Sequence, residues 1–282
     1  MALNNPSSPA PPIRVVVSGA AGKMGREVVK TVLADPALTL AAAVDTHHAG
    51  EDAALIAGLT QPCGQVIRPD LRAALAESQA DVCVDFTRPQ AALTNALTII
   101  ESGCRPVIGT TGLSPDDLQT IAHALQTAGI GGMVVPNFAI GAVLLMKFAQ
   151  EAARYFDHAE LIELHHNQKA DAPSGTAVKT ALKMQEGLAA RGLQTFGADN
   201  APETETIAGA RGAQGAAGIR IHSVRLPGLV AHQEAIFGAA GELLTLRHDS
   251  FDRACFMPGV ALAVKRVGAL NGLTYGLDAL LT

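Results

Sequence analysis

The sequence predicts an α/β fold with a doubly wound parallel sheet, followed by a second α+β domain. Short β-branched apolar runs alternate with helical patterns as far as Val135, and a Gly-rich turn directly follows the first run. Beyond residue 218 the runs instead alternate apolar and polar residues, which is typical of half-exposed antiparallel strands. We therefore expect a Rossmann-like first domain and a second domain with a largely antiparallel mixed sheet.

Strands and helices alternate regularly in the first half. Ile13 to Ser18 is an apolar strand, and the turn after it leads into residues with helical apolar spacing. Helices between successive strands are the crossover connections that parallel pairing requires. The further predicted elements are strands at Thr39–Val44, Val82–Phe86, Pro106–Ile108 and Met133–Val135, and helices at Pro89–Glu101 and Ser114–Gln126, the latter with Ser114 and Asp117 as a capping box.

The second half combines helices with amphipathic strands. Ile219–Leu226, Leu229–Phe237 and Glu242–His248 alternate apolar and polar residues, which predicts an antiparallel meander with one polar face. The Gly- and Ala-rich segment Thr206–Gly218 is predicted to be a mobile loop. Helices are predicted at Ala139–Phe156 and Asp252–Val267, and exposed positions for the strand histidines His222, His232 and His248.

Composition and charge exclude several classes of partner. The 282 residues carry 21 Lys and Arg against 26 Asp and Glu, and no basic run interrupts this net charge of −5. Nucleic acid and anionic membranes are therefore not expected as partners. The four cysteines lack metal-type spacing, which favours reduced thiols. Residues Met1–Pro12 resemble a flexible tail rather than a signal peptide, so we expect a cytoplasmic protein without a membrane segment.

The first predicted strand leads into the turn G-A-A-G-K-M-G, from Gly19 to Gly25. Such glycines let a pyrophosphate approach the N–H groups of a helix N-terminus. Asp45 ends the second strand, where a carboxylate would bind the ribose 2′-OH of NADH and repel a 2′-phosphate. Nearby cationic side chains could compensate that repulsion, so NADPH stays open as the cofactor; they are Lys23, Arg26, His47 and His48.

Two more polar clusters follow predicted strands, where open α/β sheets bind ligands. They are Asp85–Phe86–Thr87 and Gly109–Thr110–Thr111–Gly112. Either cluster alone is as consistent with a simple chain turn as with a site. Together with the Gly-rich turn they favour one continuous crevice at the ends of the strands.

The densest polar cluster extends from Glu163 to Thr176. A histidine there could donate a proton near neutral pH, and Lys169 adds a positive charge. The helix start at Pro173–Ser174–Gly175–Thr176 offers N–H groups and hydroxyls to a carboxylate. A paired-His metal site is disfavoured because no metal-type spacing accompanies His165 and His166, so no metal is expected.

This cluster, E-L-H-H-N-Q-K-A-D-A-P-S-G-T-A, resembles the active-site motif of the 4-hydroxy-tetrahydrodipicolinate reductase family. Further motifs of that family occur here in the same order: V-S-G-A-A-G-K-M-G-R, D-F-T-R-P, V-I-G-T-T-G, P-N-F-A-I-G-A-V and R-L-P-G-L-V-A-H-Q-E. The resemblance implies reduction of a small cyclic dicarboxylate by NADH or NADPH in lysine and diaminopimelate biosynthesis, by a homotetramer. It also implies a dinucleotide domain of residues 13–137 and 250–282, and a substrate and oligomerisation domain of residues 138–249.

The resemblance also assigns roles to single residues. His165 corresponds to the proton donor of the family and Lys169 to its second catalytic residue, and the substrate-binding groups are His166, Ser174, Gly175 and Thr176. The pyrophosphate loop is Gly19, Ala20, Ala21, Gly22, Lys23 and Met24, with Asp45 on the ribose. The nicotinamide side is lined by Gly109, Thr110, Thr111, Pro136, Asn137, Phe138 and Ala139. Thr46 stands where some members have an arginine, which weakens the expectation of a strong NADPH preference.

Two alternatives remain at this level. A dehydrogenase acting on a semialdehyde would need a catalytic cysteine, and none lies in the polar cluster. A non-catalytic module that senses NADH would leave the histidines and Lys169 idle. Absence of substrate turnover with retained cofactor binding would favour the sensing module over a reductase.

Overall fold

A computed structural model describes residues 11–198 and 200–281 of the chain. Contacts between residues divide the chain into two units: one runs to Phe138 and resumes over Phe256–Leu280, and the other comprises Ala139–Cys255 and Leu281. Residues 1–10 of the predicted tail lie outside the described part. No helix within the described ranges is long and apolar enough to cross a membrane.

Strands and helices alternate throughout the first unit, as its sequence predicts. Its elements up to Phe138 are β1 (Ile13–Ser18), α1 (Lys23–Ala34), β2 (Leu38–Val44), α2 (Ala53–Ala57), β3 (Ile67–Arg68), α3 (Leu71–Ser78), β4 (Val82–Asp85), α4 (Pro89–Glu101), β5 (Arg105–Ile108), α5 (Pro115–Ala128) and β6 (Gly131–Val134). The predicted capping box is confirmed, because Ser114 Oγ accepts from the Asp117 N–H at 3.1 Å and the Asp117 carboxylate accepts from the Ser114 N–H at 2.8 Å. The short elements α2, β3 and α3 were not predicted.

The second unit and the returning segment follow. The remaining elements are α6 (Ile140–Ala152), β7 (His158–His165), α7 (Gly175–Ala189), β8 (Ala213–Gln214), β9 (Arg220–Arg225), β10 (Ala231–Ala239), β11 (Glu242–Ser250), α8 (Met257–Arg266) and β12 (Gly272–Tyr275). The helix expected over Asp252–Val267 is divided, since Arg253–Phe256 forms a 3₁₀ turn before α8. The helix expected to reach Phe156 ends at Ala152.

The first unit contains a seven-stranded parallel sheet in the order β12-β6-β5-β4-β1-β2-β3. The order reverses at β1, which pairs with β2 on one side and with β4 on the other. Its strands are buried on both faces, as Val15, Val16 and Val17 illustrate at 0 % exposure. The carboxyl ends of neighbouring strands therefore meet at one edge, which is where such sheets bind ligands.

The second unit contains a five-stranded mixed sheet in the order β11-β10-β7-β9-β8. The predicted meander is confirmed for β10 and β11, which pair in antiparallel, but it is wrong for β9. Strand β7 lies between β9 and β10 and pairs with β9 in parallel and with β10 in antiparallel. Alternation of apolar and polar residues assigns each strand a polar face but does not choose its neighbour. Charge pairs across β7 and β9 accompany the observed order, among them Glu163 with Arg225.

Two smaller expectations concern this unit. The segment Thr206–Gly218 is mostly loop, as predicted, but it also contains the two-residue edge strand β8, which pairs with β9, and a 3₁₀ turn at Ala216–Gly218. His232 is buried rather than exposed, because its Nδ1 hydrogen-bonds Asp249 at 2.7 Å and its ring packs on Phe251. His222 and His248 are half-buried. A polar residue on an alternating strand is thus not always exposed when the adjacent strand offers a partner.

Candidate active site

The loop between β1 and α1 makes a turn that only glycine can form. Gly19 has φ +80°, and a Cβ there would lie 2.5 Å from the carbonyl oxygen of Phe86. A Cβ at Gly25 would lie 1.9 Å from the carbonyl oxygen of Gly19. Helix α1 begins at Lys23 with Gly22 as its N-cap, so its first-turn N–H groups have no intrahelical acceptor and no capping side chain. Residues Gly19 to Met24 therefore fit a pyrophosphate.

Asp45 lies directly after β2 and fastens this loop to the sheet. One carboxylate oxygen accepts from the Ala21 N–H at 3.0 Å, and the other accepts from the His47 N–H at 2.9 Å. The carboxylate is thus fixed beside the Gly-rich turn. Its remaining acceptor positions suit ribose hydroxyls, as the sequence predicts.

Asp85, at the end of β4, is fully buried and links three neighbouring segments. Its Oδ1 accepts from the hydroxyls of Thr87 and Thr110, each at 2.8 Å, and its Oδ2 accepts from the side-chain amide of Asn95 at 2.8 Å. The Thr110 hydroxyl therefore belongs to the scaffold. Of the predicted nicotinamide-side residues on this loop, Gly109 and the exposed Thr111 remain to face a ligand.

An aromatic pair lies behind the predicted nicotinamide residues. A Cβ at Gly109 would lie 2.2 Å from the Phe86 ring, and this ring contacts that of Phe138 at a centroid distance of 5.5 Å. Phe138 is buried, whereas Pro136 is exposed and Asn137 is half-buried in the segment after β6. Ala139 is the N-cap of α6 and belongs to the second unit. Pro136–Phe138 thus lies at the same sheet edge as Gly109 and Thr111.

In the second unit, His165 is the last residue of β7 and hydrogen-bonds the carboxylate of Glu163 through Nδ1. The two residues are two apart on a strand and therefore share a face. An ionised carboxylate only accepts, so Nδ1 carries the hydrogen and Nε2 is left for other chemistry. His166 lies beyond the strand in the following turn and is exposed.

Glu163 is fully buried and forms a two-pronged ion pair with Arg225 of β9, at 2.7 and 3.0 Å. Burial alone would raise the pKa of Glu163, but hydrogen bonds from Arg225, Ser223 and His165 outweigh it and lower the pKa below its ordinary value. Burial lowers the pKa of His165, against the opposing effect of Glu163, and the charges of Lys169 and Arg225 lower it further.

Lys169 and the start of α7 complete the cluster. Lys169 Nζ donates to the Asp171 carboxylate at 2.7 Å, and this hydrogen bond lowers the pKa of Asp171. Ser174 is the N-cap of α7, and its Oγ accepts from the Ala177 N–H at 3.2 Å. A Cβ at Gly175 would meet no atom within 4 Å, so the helix start is open to a ligand. Gly175 and Thr176 supply first-turn N–H groups suited to a carboxylate.

Three residues that organise these clusters have no individual role predicted from the sequence: Asp85, Glu163 and Arg225. A buried carboxylate needs donors, so the strand positions of Asp85 and Glu163 were a usable signal. Arg225 could not be connected to Glu163 from sequence, because nothing in the alternating pattern places β9 beside β7. No group of three or more metal-type ligands occurs among the described residues.

A Gly-rich loop before a helix, an acidic residue at the end of β2, and a second unit with a His and Lys cluster define a class of protein. The class is the nicotinamide-dinucleotide-dependent oxidoreductases with separate nucleotide and substrate units. Comparison with known proteins then specifies the family. The family model described as dihydrodipicolinate reductase, N-terminus, matches residues 13–138, and the model for the C-terminus matches residues 141–281.

Individual relatives agree with the family models. The chain is 52 % identical over 278 residues to the 4-hydroxy-tetrahydrodipicolinate reductase of Trichormus variabilis, covering 96 % of this chain and 98 % of the relative. It is 53 % identical over 273 residues to the Thermosynechococcus vestitus enzyme of the same name, covering 96 % and 97 %. The chain belongs to the dihydrodipicolinate reductase family, and it is therefore an oxidoreductase that uses a nicotinamide dinucleotide.

Solved structures support the same fold. The dipicolinate-bound dihydrodipicolinate reductase from Paenisporosarcina sp. TG-14 matches with a TM-score of 0.82 at 42 % identity, covering 95 % of this chain and 99 % of that one. GenD2 from gentamicin A biosynthesis, solved with NAD, matches with a TM-score of 0.63 at 16 % identity, covering 100 % and 93 %. The second match supports the fold alone.

Proposed function

We propose that the chain reduces 4-hydroxy-tetrahydrodipicolinate to tetrahydrodipicolinate with loss of water, as a step of lysine and diaminopimelate biosynthesis. The observation that carries this proposal is the buried Glu163 carboxylate that holds His165 by Nδ1 within the Lys169 and Ser174 cluster. The names of the relatives at 52 and 53 % identity support the substrate. The dinucleotide would bind residues 13–137 and 250–282, and the substrate residues 138–249.

His165 is proposed as the proton donor. Its ring is mostly buried, with 15 % of the side chain exposed, and Nδ1 is held by Glu163, so Nε2 is the atom that gives a proton to the substrate. Loss of the 4-hydroxyl group of the substrate as water leaves a double bond between C4 and the adjacent ring carbon. When bound, the dinucleotide would supply a hydride to C4 across this bond. His165 would deliver the proton to the adjacent ring carbon, which balances the addition. Lys169 stabilises the negative charge that develops during this step.

The start of α7 is proposed to hold a substrate carboxylate. The Ser174 N–H and Oγ already have partners within the unit, so the Gly175 and Thr176 N–H groups and the Ser174 hydroxyl hydrogen remain available. The helix dipole favours an anion there, and His166 and Lys169 lie in the preceding turn. Local positive groups are needed because the substrate is a dianion and the chain has a net charge of −5.

The cofactor contacts are proposed as follows. First-turn N–H groups of α1 and the loop Gly19–Met24 hold the pyrophosphate, and Asp45 binds the adenosine ribose. Gly109, Thr111 and Pro136–Ala139 line the nicotinamide side. A carboxylate fixed at Asp45 favours NADH over a 2′-phosphorylated dinucleotide, since the phosphate would face a like charge.

The chain is further proposed to work as a cytoplasmic homotetramer. Large apolar side chains are exposed at both ends of β11, with Leu243 at 76 % and Phe251 at 78 % exposure. Such exposure on a mixed sheet suits burial against another copy of the chain. Light scattering of the purified protein tests the subunit number directly.

Oxidation of NADH and NADPH tests the reaction, with the substrate formed in situ from pyruvate and aspartate semialdehyde. His165→Ala should lower kcat by about 100-fold or more while the Kd for NADH changes less than about twofold, because the general acid is lost and the nucleotide loop is untouched. His123→Ala is the matched control, since His123 is exposed on α5. Equal losses of kcat and NADH affinity would contradict the role of His165. No wild-type turnover despite tight NADH binding would favour the sensing module.

A further inference from the structure

The Glu163 carboxylate has more partners than a simple ion pair. Both of its oxygens accept from the two Nη atoms of Arg225, one oxygen also accepts from the Ser174 N–H at 3.3 Å, and the other meets His165 Nδ1. Arg225 Nη2 also donates to the Asp171 carbonyl at 2.7 Å. This pair, in which Glu163 is buried and Arg225 half-buried, thus contacts the end of β7, the turn that carries Lys169, and the N-cap of α7.

We propose that the Arg225–Glu163 pair is a positioning device, which fixes the tautomer of His165 and holds the Lys169 turn against the start of α7. The inference rests on the proposed role of His165 as proton donor. Neither residue of the pair is required to touch the substrate, so neither is assigned as a catalytic residue.

The tautomer argument depends on the acceptor character of Glu163. With Arg225 bound across both oxygens, the carboxylate stays an acceptor, and it can satisfy His165 only by accepting from Nδ1–H. Among the described residues, no hydrogen bond involves His165 Nε2. Nε2 is therefore the ring nitrogen that stays available to exchange a proton with the substrate.

Arg225 changes how strongly the Glu163 carboxylate holds the proton of His165. Facing a buried carboxylate alone, a protonated His165 would be held as a tight ion pair and would release its proton poorly. The charged groups that face His165 are Glu163 on its own strand, Arg225 on β9 and Lys169 in the turn. The two cations offset the carboxylate, so that the proton on Nε2 can leave during the reaction.

The pair also determines the shape of the substrate side. Arg225 binds the Asp171 carbonyl, Asp171 in turn pairs with Lys169, and Glu163 binds the Ser174 N–H. The Arg225–Glu163 ion pair therefore positions His165, Lys169 and the N-terminus of α7 together. Loss of either partner should displace all three together.

A histidine NMR titration of the full chain without substrate tests this proposal. Imidazole nitrogen shifts report tautomer and pKa, and His165→Gln identifies the His165 signals. We expect an Nδ1–H tautomer in the wild type. Glu163→Gln should lower the His165 pKa because a negative neighbour is lost, and Arg225→Gln should raise it because a positive neighbour is lost. Arg225→Lys retains the charge and should stay near the wild type.

Opposite shifts of the His165 pKa in Glu163→Gln and Arg225→Gln would distinguish a positioning role of the pair from a merely structural one. Loosening of the fold would expose His165 and raise its pKa in both variants. Arg247→Gln is the matched control, because Arg247 on β11 pairs with Glu234 and Asp249 and should leave His165 unchanged. An Nε2–H tautomer in the wild type, or a raised His165 pKa in folded Glu163→Gln, would overturn the proposal. If Glu163→Gln does not fold, the wild-type tautomer and the two Arg225 variants decide.

Kinetics give a second readout. Glu163→Gln should lower kcat by about 10-fold to 100-fold with the Kd for NADH within about twofold. Because the acid must be protonated, kcat falls as pH rises through its pKa, and Arg225→Gln should move this fall to higher pH. If the decrease of kcat in Arg225→Gln occurs at the same pH as in the wild type, or at lower pH, the result contradicts the proposed positioning role. If the wild type lacks turnover but the NMR results are as expected, the proposed function fails and the positioning proposal stands.

Discussion

The two units each place a fully buried carboxylate beneath their candidate site, but they satisfy it differently. Asp85 accepts from hydroxyl, amide and backbone donors, namely Thr87, Thr110 and Asn95. Glu163 accepts mainly from ionisable groups, Arg225 and His165. Neutral donors make a fixed scaffold, whereas ionisable partners make the environment of His165 depend on charge. The first arrangement suits holding a cofactor, and the second suits moving a proton.

The units also differ in what shapes the ligand side. In the first unit it is backbone, because the glycines at 19, 25 and 109 leave no room for a Cβ. In the second unit it is mainly the charged side chains of His165 and Lys169, and the backbone N–H groups at the helix start are open because Gly175 has free space around it. Steric changes should therefore damage the first site most, and changes of charge the second.

Gly25→Ala should give the largest effect of the steric kind. Its Cβ would meet the Gly19 carbonyl oxygen at 1.9 Å, and neither backbone segment can move without opening the loop. A clash of about 1–3 kcal/mol predicts a rise in the Kd for NADH of about 10-fold to 100-fold. Calorimetric titration with NADH measures it. The control is Gly268→Ala, since a Cβ there meets no atom within 4 Å. Equal NADH affinity in both variants would contradict the steric role of Gly25 in the nucleotide loop.

Asp85→Asn should give an intermediate effect on the same unit. The new amide NH₂ would face the Asn95 donor that now binds Asp85 at 2.8 Å, leaving a buried donor unpaired. This costs about 1–3 kcal/mol and should loosen the Thr110 loop, so we expect the Kd for NADH to rise about 10-fold. Hydrogen exchange of residues 85–112 should quicken, while kcat at saturating NADH stays near that of the wild type. A loss of kcat without loss of NADH affinity would mean that Asp85 acts like Glu163.

Much of the fold was predictable because local patterns determine it. Helix α4 has its predicted bounds, Pro89–Glu101, because a proline in the first turn is a local signal for a helix start. Strand β1 also has its predicted bounds, Ile13–Ser18, because its apolar run is a local signal. The neighbour of β9 was not predictable, because alternation carries no information about pairing partners. Edge strand β12 was also missed, since it contains only Gly272–Tyr275.

For the candidate sites, sequence predicted the loops but not what holds them. The Gly-rich turn and the His and Lys cluster are contiguous in the chain and could be recognised from spacing. The contacts that organise them span long separations, such as Glu163 with Arg225 at 62 residues and Asp85 with Thr110 at 25. Such pairs depend on strand order, which is a property of the whole sheet.

The two serine N-caps provide the smallest test of the comparison. Ser114 caps α5 at an exposed position, and Ser174 caps α7 at 2 % exposure within the charged cluster. Ser114→Ala should lower the free energy of unfolding of the first unit by about 1 kcal/mol, with kcat/KM unchanged within about twofold. Ser174→Ala loses a similar cap and should in addition raise the substrate KM, because the hydroxyl hydrogen proposed for the carboxylate is removed. Denaturant unfolding and steady-state kinetics on both variants separate the two effects. If Ser174→Ala loses stability alone, the start of α7 is only a helix end and the carboxylate must bind elsewhere in the cluster.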